Sequence, residues 1–151
     1  GLHTSSRTNV NAKKLMDLLG VSAEEIDLTQ HVKDHLELIK HDINKEDTTY
    51  ENAQARARTM VLMNLANQLN GLVLGTGDMS EIALGWSTYN GDQMSMYNVN
   101  GGVPKTVVKF MIKAYADNKY DGELRQVLYD ILDTPITPEL RSSQVTENII
   151  C

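Results

Sequence analysis

Three apolar residues, Leu72, Val73 and Leu74, lead directly into a Gly-Thr-Gly turn at 75–77. A strand that is apolar on both faces is typical of a parallel sheet covered by helices on each side. The residues after the turn are typical of a helix start, so the segment reads as a strand, a turn and a helix in succession. In open α/β sheets, ligands bind at the carboxyl ends of the strands. The segment therefore predicts an α/β fold with a ligand site at this turn.

The interval around this turn is unusual in charge and in glycine content. No Lys or Arg occurs between Arg58 and Lys105, and the interval holds seven of the ten glycines and five of the seven methionines. Glycine at this density indicates backbone that closely approaches a packed neighbour or a ligand. The residue types alone leave both a buried loop and a binding site open.

Periodic patterns predict helices on both sides of the interval. The sequence Thr48-Thr49-Tyr50-Glu51 is a capping-box pattern, in which Thr48 and Glu51 each accept a hydrogen bond from an amide, and it predicts a long helix reaching about Leu69. Ile26-Asp27-Leu28 is expected to form a short strand. Apolar spacing predicts the other helices over 9–19 with a Gly20 cap, after a Thr29 cap, around 107–114 and around 124–131.

Composition limits the partners. The formal net charge of −6 argues against nucleic acid or an anionic membrane as the main partner, since both attract a Lys/Arg excess. The single cysteine, Cys151, excludes an internal disulfide and fits a reducing, cytoplasmic setting. The apolar runs are far shorter than the roughly 18 residues that a membrane-spanning helix needs, and the start of the chain has no signal-peptide pattern.

Individual polar motifs are ambiguous when taken alone. The turn at 75–77 could bind phosphate through backbone amides, with the Thr76 hydroxyl as a further ligand, but a tight turn explains two glycines equally well. Glu81 and Asp92 have no basic neighbour in sequence, so each needs a metal, a distant Arg or Lys, or exposure to water. His31 and His35 have the i, i+4 spacing of a zinc pair, yet without further ligands a solvated helix face is the better interpretation.

Taken together, several motifs in the same order resemble the synthetase domain of NAD synthetases, and the glutamine-dependent branch is the most similar. The resemblance extends from Gly1 to the tail at 137–140. It is carried by Tyr50-Glu51-Asn52-Ala53-Gln54-Ala55-Arg56-Ala57-Arg58, Leu72-Val73-Leu74-Gly75-Thr76-Gly77-Asp78-Met79-Ser80-Glu81, Leu84-Gly85-Trp86-Ser87-Thr88-Tyr89, Gly91-Asp92-Gln93-Met94-Ser95, Tyr97-Asn98-Val99-Asn100 and Val103-Pro104-Lys105-Thr106.

The resemblance implies a Rossmann-like fold of the adenine-nucleotide alpha-hydrolase type and a ligase activity. Such enzymes adenylate the nicotinate carboxylate of deamido-NAD with ATP, and ammonia then displaces AMP to give NAD. A carboxylate is a poor electrophile and needs a leaving group, while magnesium and cations offset the charge of the triphosphate. Glutamine would supply the ammonia through a glutaminase domain, and the parent enzyme is expected to be a homo-oligomer.

The resemblance also implies roles for individual residues, none of them a catalytic side chain. Thr76 would contact ATP, Lys105 would contact its phosphates, and Thr137 would lie on a mobile loop that closes over ATP. Glu81 would be a magnesium ligand or a dinucleotide contact. Taken singly, Trp86 and Tyr89 are more typical of core packing. The deamido-NAD site would be lined by Asn52, Arg56, Trp86, Ser87, Thr88, Tyr89 and Asp92, with Glu81 beside them.

The chain departs from the family pattern in its extent. The pyrophosphate-binding motif Ser-Gly-Gly-x-Asp-Ser occurs nowhere in residues 1–151, and neither does a glutaminase domain. The expectation is therefore a partial synthetase domain that is inactive alone. A competing hypothesis is a non-catalytic nucleotide-binding or assembly module that dimerises through the helix containing Arg56. A dinucleotide-binding oxidoreductase is disfavoured by the incomplete glycine fingerprint.

Overall fold

A computed structural model describes residues 6–134, which form six helices and two strands. Their order is α1 (Ser6–Leu18), α2 (Thr29–Leu38), α3 (Thr48–Gln68), β1 (Leu74–Gly75), α4 (Met79–Leu84), β2 (Tyr97–Asn98), α5 (Lys105–Asn118) and α6 (Gly122–Leu132). Within the described residues, the chain divides into one unit spanning 27–105 and a second that combines 6–26 with 106–134.

In the first unit, α2 packs against α3 through small and aliphatic side chains. Val32 and Leu36 of α2 are 3% and 1% exposed, and they contact Tyr50, Ala53 and Ala57 of α3. The α3 residues follow i, i+3, i+7 spacing, which places them on one face of the helix. This cluster is the apolar core of the unit.

The two strands pair in parallel, as the sequence predicts for an α/β fold. Leu74 lies opposite Tyr97 and Gly75 lies opposite Asn98. The prediction that the strand at 72–74 is buried on both faces is wrong, since Leu72 and Leu74 are 58% and 59% exposed. In a sheet of two short strands, neither face of this segment is fully covered.

The start of α3 differs from the predicted capping box. Asp47 is the N-cap, and its carboxylate accepts hydrogen bonds from the Thr49 and Tyr50 amides at 2.9 and 3.2 Å. Thr48 is already the first helical residue. A carboxylate caps a helix as well as a hydroxyl does and adds a favourable interaction with the helix dipole, so the preceding residue takes the role.

The predicted strand at 26–28 is also wrong, because these residues have no regular secondary structure. The Asp27 carboxylate accepts a hydrogen bond from the Thr29 amide at 2.9 Å, which commits the segment to a turn into α2. Hydrogen bonding from the Thr29 side chain, together with this amide, lowers the pKa of Asp27. Thr29 is the first residue of α2, and Leu28 occupies the N-cap position that was predicted for Thr29.

In the second unit, polar contacts tie α6 to α1 and to α5. The Arg7 guanidinium pairs with Asp130 and, together with Asn11, lowers the pKa of that carboxyl. Asp117 accepts hydrogen bonds from Lys113 and Tyr129, and both lower its pKa.

In the part of the chain that the structure describes, no helix is both long enough and apolar enough to span a bilayer.

Candidate functional site

The Gly-Thr-Gly turn connects β1 to α4, and α4 begins with a complete capping box. The Asp78 carboxylate accepts a hydrogen bond from the Glu81 amide at 3.0 Å, and Glu81 Oε2 accepts one from the Asp78 amide at 3.1 Å. Sequence reasoning missed this box, although the spacing Asp78-x-x-Glu81 is readable as one. These two hydrogen bonds fix the Glu81 side chain. The carboxylate lies beside the turn, because a Cβ added at Gly77 would be 3.5 Å from Glu81 Oε2.

Lys105 supplies the positive charge at this turn. Its Nζ donates to Glu81 Oε1 at 3.1 Å and lies 3.9 Å from Asp78 Oδ2. The Lys105 amide donates to Ser80 Oγ at 3.1 Å, which joins the first residue of α5 to α4. The structure thus brings together two predicted residues, Glu81 and Lys105, and assigns a distant lysine as the cation that Glu81 requires.

The carboxyl ends of the two strands meet at the same place. A Cβ added at Gly75 would lie 2.3 Å from Ser95 Oγ and 3.3 Å from Asn98 Cβ, so only glycine lets β1 approach β2 this closely here. A Cβ at Gly77 would lie 3.7 Å from Asn98 Nδ2. Thr76, between the two glycines, is exposed. The predicted ATP contact Thr76 therefore lies at the sheet edge where topology predicts a ligand.

The side chains at this turn can supply one ligand to a magnesium ion, but they do not form a complete metal site. Residues 6–134 contain no group of three His, Cys, Asp or Glu side chains placed to hold a metal, and His31 and His35 are exposed on α2. Each Glu81 oxygen accepts one hydrogen bond and retains a second lone pair. Magnesium binds few protein carboxylates and completes its shell with water and phosphate oxygens, so the single Glu81 carboxylate fits one position.

A second group of predicted residues lies where the loop 86–92 meets α3. Arg56 Nε donates to the Tyr89 carbonyl at 3.2 Å. Arg58 donates through Nε and Nη2 to the two carboxylate oxygens of Asp92, at 2.9 and 2.5 Å. Two arginines of one helix therefore hold one loop, and Asp92, like Glu81, has a distant basic partner.

Close packing of Gly91 completes this contact. A Cβ added at Gly91 would lie 2.7 Å from Ala55 Cβ and 2.5 Å from Thr88 Oγ1, so the loop can approach α3 only without a side chain. Within the loop, Thr88 Oγ1 accepts a hydrogen bond from the Asp92 amide at 3.2 Å. We call this set of contacts, made by Ala55, Arg56 and Arg58 to Tyr89, Gly91 and Asp92, the α3 clasp.

The remaining predicted contacts lie on or beside the α3 clasp. Asn52 precedes Arg56 by one helical turn and is half-buried. Trp86 is 38% exposed and Tyr89 is 71% exposed, so core packing does not account for Tyr89. Ser87 is exposed in the same loop. Thr137 lies outside the described residues.

Arg58 is the residue of this region that sequence reasoning did not assign. It is 34 positions from Asp92 in the chain, and no local pattern links the two. The only signal was negative, because Asp92 had no basic neighbour in sequence.

The α3 helix itself is anchored at its first turn by a charged cluster. Asp47 accepts from His41 Nε2 at 3.0 Å and lies 3.2 Å from Lys45 Nζ. Partial desolvation opposes ionisation of Asp47, but the Tyr50 amide, Lys45 and His41 outweigh it and lower its pKa to about 2. Burial raises the pKa of Tyr50 at the same turn.

The fold and this sheet edge define the class as adenine-nucleotide alpha-hydrolase-like α/β proteins. The solved NMN synthetase from Francisella tularensis shares the fold with a TM-score of 0.79 at 23% identity, covering 97% of this chain and 56% of that one. The glutamine-dependent NAD+ synthetase from Acinetobacter baumannii, solved in complex with ADP, has a TM-score of 0.76 at 28% identity, covering 86% of this chain and 24% of that one.

The family follows from sequence comparison. The family model described as NAD synthase matches residues 2–150. The glutamine-dependent NAD(+) synthetase of Mycobacterium leprae is 46% identical over 155 residues, which cover 99% of this chain and 23% of that protein. The chain belongs to the NAD synthase family, a family of ligases, and it spans about a quarter of the length of the glutamine-dependent relatives from Mycobacterium leprae and Thermotoga maritima. The predicted family and fold class are thus confirmed.

Proposed function

We propose that this chain forms part of the ATP and dinucleotide site of a glutamine-dependent NAD synthetase that amidates deamido-NAD. The observation that carries the proposal is the grouping of Lys105, Glu81 and the Gly75–Gly77 turn at the carboxyl ends of β1 and β2. Family membership supports the reaction, and the ADP complex of the Acinetobacter baumannii relative supports an adenine nucleotide as ligand.

The reaction has two steps. A nicotinate carboxylate oxygen attacks the α-phosphorus of ATP and pyrophosphate leaves. Ammonia then attacks the carbonyl carbon, AMP leaves, and one proton is lost to give the amide. Ammonia would come from glutamine through a glutaminase domain. Magnesium, when bound, would offset phosphate charge.

In this proposal, Lys105 and Glu81 exchange partners when ATP binds. The Lys105 ammonium, a compact point charge on a flexible stem, moves from Glu81 to the phosphates, while Thr76 donates its hydroxyl. Glu81 then becomes available to magnesium as one ligand. The ion pair therefore keeps both charges compensated before ATP binds.

The dinucleotide would lie along the α3 clasp. Arg56 would attract its anionic groups, Asn52 would hydrogen-bond beside it, and Trp86 would offer a ring face for stacking. Ser87, Thr88, Tyr89 and Asp92 would shape the wall of this site, and Thr137 would belong to the loop over ATP. These residues bind and orient substrates, so the rate advantage they give is one of position.

Calorimetric titration with ATP tests the proposal. Lys105→Gln should weaken ATP binding by about tenfold or more, as expected for a lost charge-assisted hydrogen bond, whereas the exposed control Lys109→Gln should change it less than about twofold. Glu81→Gln should tighten ATP binding without magnesium, because Lys105 is released, and weaken it with magnesium. Equal ATP affinity in Lys105→Gln and the unsubstituted chain would contradict the proposal.

A second measurement concerns activity. Chain 1–151 supplied with deamido-NAD, ATP, magnesium and ammonium should form no detectable NAD, because it lacks the Ser-Gly-Gly-x-Asp-Ser motif. Robust turnover would show that this chain needs no further part of a synthetase. Self-association without any dinucleotide binding would favour an assembly module.

A further inference from the structure

Arg56 and Arg58 make different use of their guanidinium groups, although both reach the loop 86–92. In the described part of the chain, Arg56 donates only through Nε, to the Tyr89 carbonyl. Arg58 donates through Nε and Nη2 to both oxygens of Asp92. Arg58 is thus committed to the protein, whereas the terminal nitrogens of Arg56 retain donor capacity.

The geometry of the Arg58–Asp92 pair suits a positioning role. Two parallel N–H···O bonds at 2.9 and 2.5 Å fix both the separation and the plane of the carboxylate. The Arg58 and Asp92 side chains are 31% and 49% exposed, so the pair is accessible to salt but partly shielded. An anion that bound Arg58 directly would lie beside the Asp92 carboxylate and be repelled.

The pair is coupled to the rest of the loop through the backbone. The Asp92 amide donates to Thr88 Oγ1, and the Gly91 amide donates to the Gln93 side chain at 3.0 Å. The Met94 amide donates to the Gly91 carbonyl at 2.9 Å. A displacement of Asp92 would therefore move the Thr88 side chain as well.

We propose that Arg58 is a positioning residue that holds Asp92, and with it the loop 86–92, against α3, and so leaves Arg56 to bind the anionic groups of the dinucleotide. The inference deepens the proposed function and rests on it for the dinucleotide. Loop attachment, however, is a property of the chain without ligand and is measured separately.

Two readouts on chain 1–151 test the proposal. Amide hydrogen exchange at Asp92 and Met94 reports loop attachment without ligand, and calorimetry with deamido-NAD reports binding. The variants are Arg58→Ala, Arg58→Lys and Arg56→Ala. Lys33→Ala, which removes an exposed charge from α2, is the matched control.

Arg58→Ala should accelerate exchange at Asp92 and Met94 by about three- to fivefold. It should weaken deamido-NAD binding by a similar factor, because the loop 86–92 must return to its position on α3 before the dinucleotide binds. Arg58→Lys should restore part of both effects, since it keeps the charge without the bidentate geometry. Arg56→Ala should weaken binding by about tenfold with less than twofold faster exchange at Asp92. Lys33→Ala should change neither readout by more than about twofold.

Salt separates an ion pair from general packing. Raising the salt concentration should speed exchange at Asp92 in the unsubstituted chain and have less effect in Arg58→Ala, where the pair is gone. If Arg58→Ala does not fold, Asp92→Asn removes the same ion pair with little change in shape and should give the same accelerated exchange.

Unchanged exchange in Arg58→Ala would overturn the proposal. Weaker dinucleotide binding without faster exchange would also overturn it, because Arg58 would then contact the ligand itself. If the chain bound no deamido-NAD at all, its proposed function would fail, while faster exchange in Arg58→Ala would still support the positioning role.

Discussion

The two sides of α3 are held to their neighbours by different kinds of interaction. Toward α2, the helix buries Tyr50, Ala53 and Ala57 in an apolar contact that has no directional requirement. Toward the loop 86–92, it forms the α3 clasp from one ion pair, a carbonyl hydrogen bond and a glycine contact. The comparison indicates that the first side supplies stability and the second supplies position.

Truncation of the apolar side should have the largest effect. Leu36→Ala removes a side chain that is 1% exposed, so the lost burial and the cavity should together cost about 2–5 kcal/mol in the free energy of unfolding. Leu38→Ala, on the same helix but 78% exposed, is the matched control and should cost less than about 0.5 kcal/mol. Urea unfolding measures both. Equal shifts would mean that the α2–α3 contact does not stabilise the unit.

A glycine substitution tests the steric part of the α3 clasp. Gly91→Ala forces a Cβ to within 2.7 Å of Ala55 Cβ, so the loop must move, and we expect a loss of about 1–3 kcal/mol of stability. A Cβ at Gly102 has nothing within 4 Å, so Gly102→Ala should be nearly neutral. Unfolding curves and hydrogen exchange at Asp92 measure the effect. A neutral Gly91→Ala would break the comparison, because the loop would then not be seated on α3.

The elements that the sequence predicts well are those with a local cause. Spacing of apolar residues predicts α1, α2, α5 and α6, and a capping-box pattern predicts α3. Gly20 adopts the left-handed conformation expected of a helix end, with φ at 66°. The parallel pairing of the strand before the Gly-Thr-Gly turn was also predicted. Each of these helices depends on residues within about one or two turns of each other, and the strand before the turn is predicted from its own run of apolar residues.

Most of the features that the sequence did not predict depend on contacts between distant residues, and one depends on competition between neighbours. Glu81 and Lys105 are 24 positions apart, and Arg58 and Asp92 are 34 apart, so no periodicity brings either pair together. The exposure of Leu74 depends on which distant elements pack against the faces of the sheet. Asp47 displaced Thr48 as the cap of α3 because neighbouring cap residues compete, and the surrounding charges decide between them.

A hydroxyl deletion tests the polar part of the α3 clasp with a smaller expected effect. Thr88→Val removes the acceptor of the Asp92 amide with little change in shape and should cost about 0.5–1.5 kcal/mol, measured as faster exchange at Asp92. Thr88→Ser keeps the hydroxyl and is the matched control. If Thr88→Val and Thr88→Ser behaved alike, the Thr88 hydroxyl would not hold the loop.

The smallest effect concerns the first turn of α3, which both sides share, and it depends on pH. The pKa of Asp47 is lowered from 3.8 to about 2, so its ionised form is favoured by folding. The stabilisation it gives is complete above about pH 4 and is lost as the pH falls toward 2. Exchange at the Thr49 and Tyr50 amides, referred to the intrinsic rate at each pH, should therefore speed up across this window. Asp47→Asn can still cap the helix but does not titrate, so its corrected exchange should stay flat. Because Tyr50 lies in this turn, acid should loosen the α2-facing contact of α3. Equal acceleration in Asp47→Asn would show that ionised Asp47 is not what stabilises this turn.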